Sequence, residues 1–141
     1  MKTIWLLLFV LSINLVAAAD TKPVTNKDGN CVVSVPSTWT VEPNLGIAKS
    51  ADKKVSIVVS SPSHGLSSLA DFEQLAPTVY KNDKVTKSSS SEFEMEGTNG
   101  TDKPNVYRSI PARAKVCIAE ITYQSGTPAE AKAIVETLKA K

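Results

Sequence analysis

The stretch Lys115-Val116-Cys117-Ile118-Ala119-Glu120-Ile121-Thr122-Tyr123, followed after Gln124-Ser125-Gly126 by Thr127-Pro128-Ala129-Glu130, decides the fold class. Successive side chains of an extended chain point to opposite faces, so Cys117, Ala119, Ile121 and Tyr123 share one face while Val116 and Ile118 take the other. The period then changes. Thr127 and Glu130 have the spacing of a capping box, in which each side chain accepts a backbone N–H at the helix start, and Pro128 stands at the first helical position. Ala131, Ile134, Val135 and Leu138 recur at helical spacing and form one apolar stripe. A strand with two apolar faces feeding a capped helix points to a sheet with helical cover.

The same two periods repeat on working back towards the N-terminus. Residues 105–110 form another strand candidate, and Phe93 and Met95 alternate with Glu92, Glu94 and Glu96 as a half-buried strand would. Residues 81–91 are polar with Val85 their only apolar member, which suits an edge strand. Before them, Leu69, Phe72, Leu75, Ala76 and Val79 fall at helical spacing, with Ser67 or Ser68 as N-cap and Pro77 kinking or ending the helix. Val55-Ser56-Ile57-Val58-Val59 contains an unbroken apolar triplet, which predicts a central strand covered on both faces. Ile47-Ala48 is a brief strand, and Cys31-Val32-Val33-Ser34-Val35-Pro36 a longer one that turns at Pro36-Ser37 towards Trp39 and Val41. The order strands, helix, strands, helix predicts an α+β fold: an antiparallel β-sheet packed by two main helices.

The start of the chain has a different character. Met1-Lys2-Thr3 precedes an apolar run, Ile4 to Val16, broken only by Ser12 and Asn14, and Ala17-Ala18-Ala19 follows. A basic start, a short apolar segment and an Ala-x-Ala site are the parts of a secretory signal peptide. The apolar run is short for a bilayer whose hydrocarbon core is about 30 Å thick, so stable membrane insertion after processing is not expected. The expected organisation is a signal peptide over 1–19, a polar lead-in over 20–29 and a single domain over 30–141, in a secreted protein of the periplasm or extracellular space.

Export bears on the two cysteines. An oxidising compartment favours pairing Cys31 with Cys117, which would tie the first strand to the last. The other reading is two buried thiols that never meet, since a bond requires α-carbons within about 7 Å.

Taken in order, these segments resemble the PsbP/DcrB-like superfamily of small exported or lumenal proteins. The resemblance runs through Val33-Ser34-Val35-Pro36-Ser37-Thr38-Trp39, the hairpin closing on Val55 to Val59, and Ser68-Leu69-Ala70-Asp71-Phe72 opening a helix. It continues through Glu96-Gly97 after an alternating strand, Ile121-Thr122-Tyr123, and Ile134-Val135-Glu136-Thr137-Leu138. It covers roughly residues 30–138, and its weight lies in the order of motifs that are individually common. The resemblance implies an antiparallel sheet with helices against it, a PsbP-like sandwich, and protein-binding or scaffolding roles such as support of a photosynthetic complex. It carries over no catalytic residue, and paired cysteines are not a general feature of the family.

Few residues offer chemistry. With 16 basic and 14 acidic residues the charge is nearly balanced, which argues against nucleic-acid binding. His64, the only histidine, is a general-base or metal-ligand candidate in a loop, with Asp71 and Glu73 nearby but without ligand spacing. A solvated loop histidine is the stronger reading. A Cys117–His64 dyad needs a lowered thiol pKa, whereas the apolar neighbours of Cys117 raise it. The Gly-x-Ser-x-Gly turn and the phosphate-binding glycine loops are missing. Glu92, Glu94 and Glu96 share a strand face that would bind a cation such as calcium or, more simply, face solvent. Lys81, Lys84 and Lys87, and Arg108, Arg113 and Lys115, offer basic clusters for an anionic surface or a partner. Asn99 is a glycosylation acceptor only in a eukaryotic host.

Trp39, Tyr107 and Arg108 are the interface candidates, with core packing the stronger role for Trp39. The expected function is that of an exported, non-enzymatic binding or scaffold module, with no catalytic, cofactor or metal residues. Its expected partner is another exported or envelope protein. The alternative is a small secreted hydrolase or ligand carrier whose site is assembled from dispersed residues.

Overall fold

The computed structural model describes residues 20–62, 69–71, 74, 83–98, 103–112 and 116–141. The signal-peptide segment 1–19 lies outside them, as do Lys81, Asn99, His64, Glu73, Arg113, Lys115 and most of the helix expected after Ser67. Residues 69–71 and 74 of that helix are helical. Among the described residues ten strands are formed: β1 (Thr21–Thr25), β2 (Cys31–Pro36), β3 (Thr40–Glu42), β4 (Ile47–Lys49), β5 (Val55–Ser60), β6 (Lys84–Ser88), β7 (Phe93–Gly97), β8 (Asn105–Pro111), β9 (Val116–Tyr123) and β10 (Lys139–Ala140). The C-terminal helix, Pro128–Val135, lies between the last two.

These strands form two antiparallel sheets, and this corrects the expected architecture. One is three-stranded, in the order β1-β2-β10; the other is seven-stranded, in the order β3-β4-β5-β9-β8-β7-β6. Strands take 51% of the described residues and the C-terminal helix has eight residues, so the described chain is mostly β and not one sheet packed by two main helices. The cause lies in the stretch expected as a polar lead-in. Thr21–Thr25 pairs along the whole of β2, from Thr21 opposite Pro36 to Thr25 opposite Val32. Asn26 closes the hairpin: its side-chain oxygen accepts the Cys31 N–H at 2.9 Å and its carbonyl accepts the Gly29 N–H at 3.0 Å. Only Val24 of β1 faces inward and is fully buried, so the strand shows too little apolar alternation to be recognised from sequence.

Between the sheets lies the main core. Val24, Cys31, Val33 and Val35 from the small sheet meet Ala48, Ile57, Val59, Val106, Ala119 and Ile121 from the large one. Ala131, Val135 and Leu138 of the C-terminal segment complete the cluster. Burying side chains of this size is worth roughly 1.5–3 kcal/mol each, and this apolar contact holds the layers together. On the opposite face of the large sheet, Phe93, Met95, Tyr107, Val116 and Ile118 form a second cluster with Leu69. β9 therefore divides as its alternation predicts, with Val116 and Ile118 on one side and Cys117, Ala119, Ile121 and Tyr123 on the other. β5 departs from expectation. It is central in strand order, but Val58 is 46% exposed, because Leu69 is the one described residue from outside the sheet that joins the outer cluster, and that cluster lies on β7 to β9. Among the described residues no helix is long and apolar enough to cross a membrane.

Candidate functional site

The C-terminal helix has two flanks with opposite chemistry. Its start is set by the predicted capping box: Thr127 Oγ1 accepts the Glu130 N–H at 3.3 Å, and Glu130 Oε2 accepts the Thr127 N–H at 2.9 Å. Gly126, at φ +94°, makes the reversal that brings the chain from β9 into this cap.

One flank is charged. The register places Glu94 opposite Arg108 and Glu96 opposite Val106, so these carboxylates face the helix layer. Arg108 Nη1 lies 2.7 Å from Glu92 and 3.4 Å from Glu94. Lys87 Nζ lies 3.9 Å from Glu94 and 2.8 Å from Glu136 beyond the helix end, while Lys132 on the helix lies 2.8 Å from Glu96. Glu94 is 1% exposed. The reading of Glu92, Glu94 and Glu96 as a solvated face is thus corrected. A buried carboxylate is tolerated where opposite charge and hydrogen bonds replace water, and Arg108, Lys87 and the Thr86 hydroxyl do so here. The hydrogen bond from Lys87 holds the Glu136 carboxyl below its ordinary range, and the same bond raises Lys87. The bond to Glu96 likewise raises Lys132. This flank is a set of ion pairs, of which Lys132–Glu96 and Lys87–Glu136 fasten the helix and its end to β7 and β6.

The other flank is apolar and open. A pocket of about 390 Å³ lies between the helix, the turn after β2 and the large sheet. Pro36 and Trp39 form one wall, Val55, Ile121 and Tyr123 the floor, and Ala131, Ala133 and Ile134 the helix side. Trp39 is positioned by the turn itself, where its N–H donates to the Pro36 carbonyl at 3.0 Å. Burial, more than the nearby Glu96 carboxylate, raises the Tyr123 phenol above its ordinary value. Polar lining groups are Ser125, Thr127 and Glu130 at the helix start. A smaller, more polar hollow of about 210 Å³ lies beside Leu45, Val58 and the Asn26–Asp28 turn.

The interface candidates are separated by this arrangement. Trp39 is 8% exposed, belonging at once to the main core and to the pocket wall. Arg108 belongs to the charged flank, and Tyr107 is buried in the second cluster on the opposite face of the large sheet. Cys31 and Cys117 are bonded to each other, which removes the thiol that a Cys117–His64 dyad would need. Tyr123, Ala133 and Ile134 were not singled out from sequence as site residues. The pocket is assembled from separated segments, and the local signals near it were Trp39 and the capping box that locates the helix start.

No protein-family model matches this chain. The comparison with curated proteins likewise finds no match. Among solved structures, the chain is similar to the solution structure of cyanobacterial PsbP (CyanoP) from Synechocystis sp. PCC 6803. The TM-score is 0.50 over 94% of this chain and 99% of that one, at 12% sequence identity. The likeness shows a PsbP-like fold.

Proposed function

We propose that this PsbP-like chain is an exported binding module, without catalysis of its own, that holds its partner through an apolar group seated beside Trp39. The observation that carries this reading is the apolar pocket between Pro36, Trp39, Tyr123 and the helix. A concave apolar site with few polar groups is suited to binding, because expelling water from it is favourable without any chemical step. On the other flank of the helix Lys132, Glu96, Lys87 and Glu136 are engaged with one another in ion pairs. The leader pattern over 1–19 and the Cys31–Cys117 bond support a secreted, periplasmic or extracellular setting. Membership of the PsbP/DcrB-like superfamily is part of the same proposal, supported by the fold likeness and the motif order.

Affinity capture from culture medium and envelope fractions tests this, with the protein and its Ala133→Arg variant as paired baits. Ala133 is exposed at the pocket mouth, so arginine there obstructs the pocket without entering the core. A bound protein or solvent-extractable compound retained by the wild type and lost with the variant is the expected result. Identical recovery with both baits would count against the pocket as the binding site.

A further inference from the structure

We infer that the pocket beside Trp39 is a small-molecule site whose ligand is uncharged and largely apolar, an inference that rests on the binding-module reading and names its ligand class. Size is the first argument. About 390 Å³ lies within the roughly 300–1,000 Å³ range of small-molecule pockets. Charge is the second. Among the described residues Glu130 is the only charged one in the lining, and its Oε2 is already occupied by the Thr127 N–H at 2.9 Å. Its remaining oxygen lies on an exposed residue, where pairing with a cation is screened and worth little. The helix start, which otherwise attracts anions, is closed by the same capping box, and no basic residue among the described ones lines the pocket.

The basic residues of the neighbouring elements face the other flank, Lys132 towards Glu96 and Lys87 towards Glu136. A charged ligand would lose hydration at the apolar walls and gain no strong compensating partner among the described residues, whereas a neutral, largely apolar one loses little. Trp39, Tyr123, Ile121 and Ile134 then supply contact area to a ring or short chain.

The sequence provides its own reporter. The two tryptophans are Trp5, within the leader, and Trp39, so Trp5→Phe leaves the pocket indole as the only one whether or not the leader is removed. The probe is phenylnaphthylamine, which is uncharged at neutral pH and accepts energy from indole. Saturable quenching of Trp39 by one probe per chain is expected, insensitive to added salt. Ala133→Arg should weaken it by about tenfold or more. Val85→Arg, on the exposed face of β6, should leave it unchanged. The sulfonated analogue, anilinonaphthalene sulfonate, should bind at least about tenfold more weakly. Absence of saturation, equal binding by the sulfonate, or indifference to Ala133→Arg would each overturn the inference. If the probe fails while a captured protein still depends on Ala133, the module reading stands and the occupant is a partner's side chain. If both fail, the module reading falls too.

Discussion

Cys31 on β2 and Cys117 on β9 are bonded across the space between the two sheets, with their α-carbons 5.5 Å apart. Cys31 pairs with Ala140 of β10, and Cys117 pairs with Ile110 of β8. The bond therefore fastens the small sheet, including the chain's last strand, to the middle of the large one. Both sulfur-bearing residues are fully buried among the aliphatic side chains of the main core.

Replacing both cysteines by alanine should lower unfolding free energy by about 4.6 kcal/mol, the chain-entropy value for a crosslink with a sequence separation of 86. Urea denaturation of the two proteins without reductant measures it. An unchanged midpoint would mean that packing alone sets the sheet-to-sheet contact.

Arg108→Ala leaves the Glu94 carboxylate buried with Lys87, at 3.9 Å, as its one ionic partner among the described residues. A loss of about 3 kcal/mol is expected, since an uncompensated buried charge costs far more than a lost surface pair. Adding Glu94→Gln to the same chain should recover part of that loss. Glu42→Ala, which breaks the exposed pair with Lys49, should cost about 0.5 kcal/mol or less. Equal effects from the buried and the exposed site would contradict the geometry described for the charged flank.

The Lys87–Glu136 pair gives stability a pH dependence with a definite sign. The folded pKa of Glu136 lies below its ordinary 4.5, so its contribution is present above that value and is lost as pH falls through the folded pKa. Lys87 is raised above its ordinary 10.5, so its contribution is present below that value and is lost as pH rises through the folded pKa. Both side chains are more than a third exposed, so salt should weaken the effect. Melting temperature followed over pH should show a shallower acid limb for Glu136→Gln than for the wild type. Superimposable acid limbs would show that the pair adds nothing in solution.

Gly46 and Gly29 separate steric clash from backbone strain. Both have positive φ, +67° and +74°, but a Cβ on Gly46 would run into the Val59 carbonyl, while one on Gly29 would meet nothing within 4 Å. Gly29→Ala should cost about 1 kcal/mol, the expense of a left-handed conformation for an ordinary residue. Gly46→Ala should cost at least about 1 kcal/mol more. The Val59 N–H donates to the Gly46 carbonyl at 2.6 Å and holds the β4 approach to β5, leaving little room to relax. Thermal unfolding of the two variants in parallel makes the comparison, and equal melting temperatures would refute it.

Much of the local structure is legible residue by residue, for reasons confined to a few neighbours. The period of two in β9 sorted its two faces correctly, and the capping box and proline placed the helix start. Phe93 and Met95 are buried, as their alternation predicts. The same alternation misplaced Glu94, because a period of two separates faces without telling what each face meets. The candidate pocket was less legible than the elements around it: Trp39 was marked as a large ring, but the helix and β9 residues that complete its enclosure are remote in sequence.

By itself the sequence determined the strand-forming runs, the capped C-terminal helix and the two cysteines available for pairing, since these rest on alternation, capping and composition within short windows. Only the tertiary structure decided that the strands divide between two sheets, that Thr21–Thr25 is one of them, that Arg108 and Lys87 neutralise a buried Glu94, and that an apolar pocket opens beside Trp39. Those outcomes depend on which distant surfaces come into contact. The free energy of that choice is shared among many weak contacts across the chain, and no short window contains it.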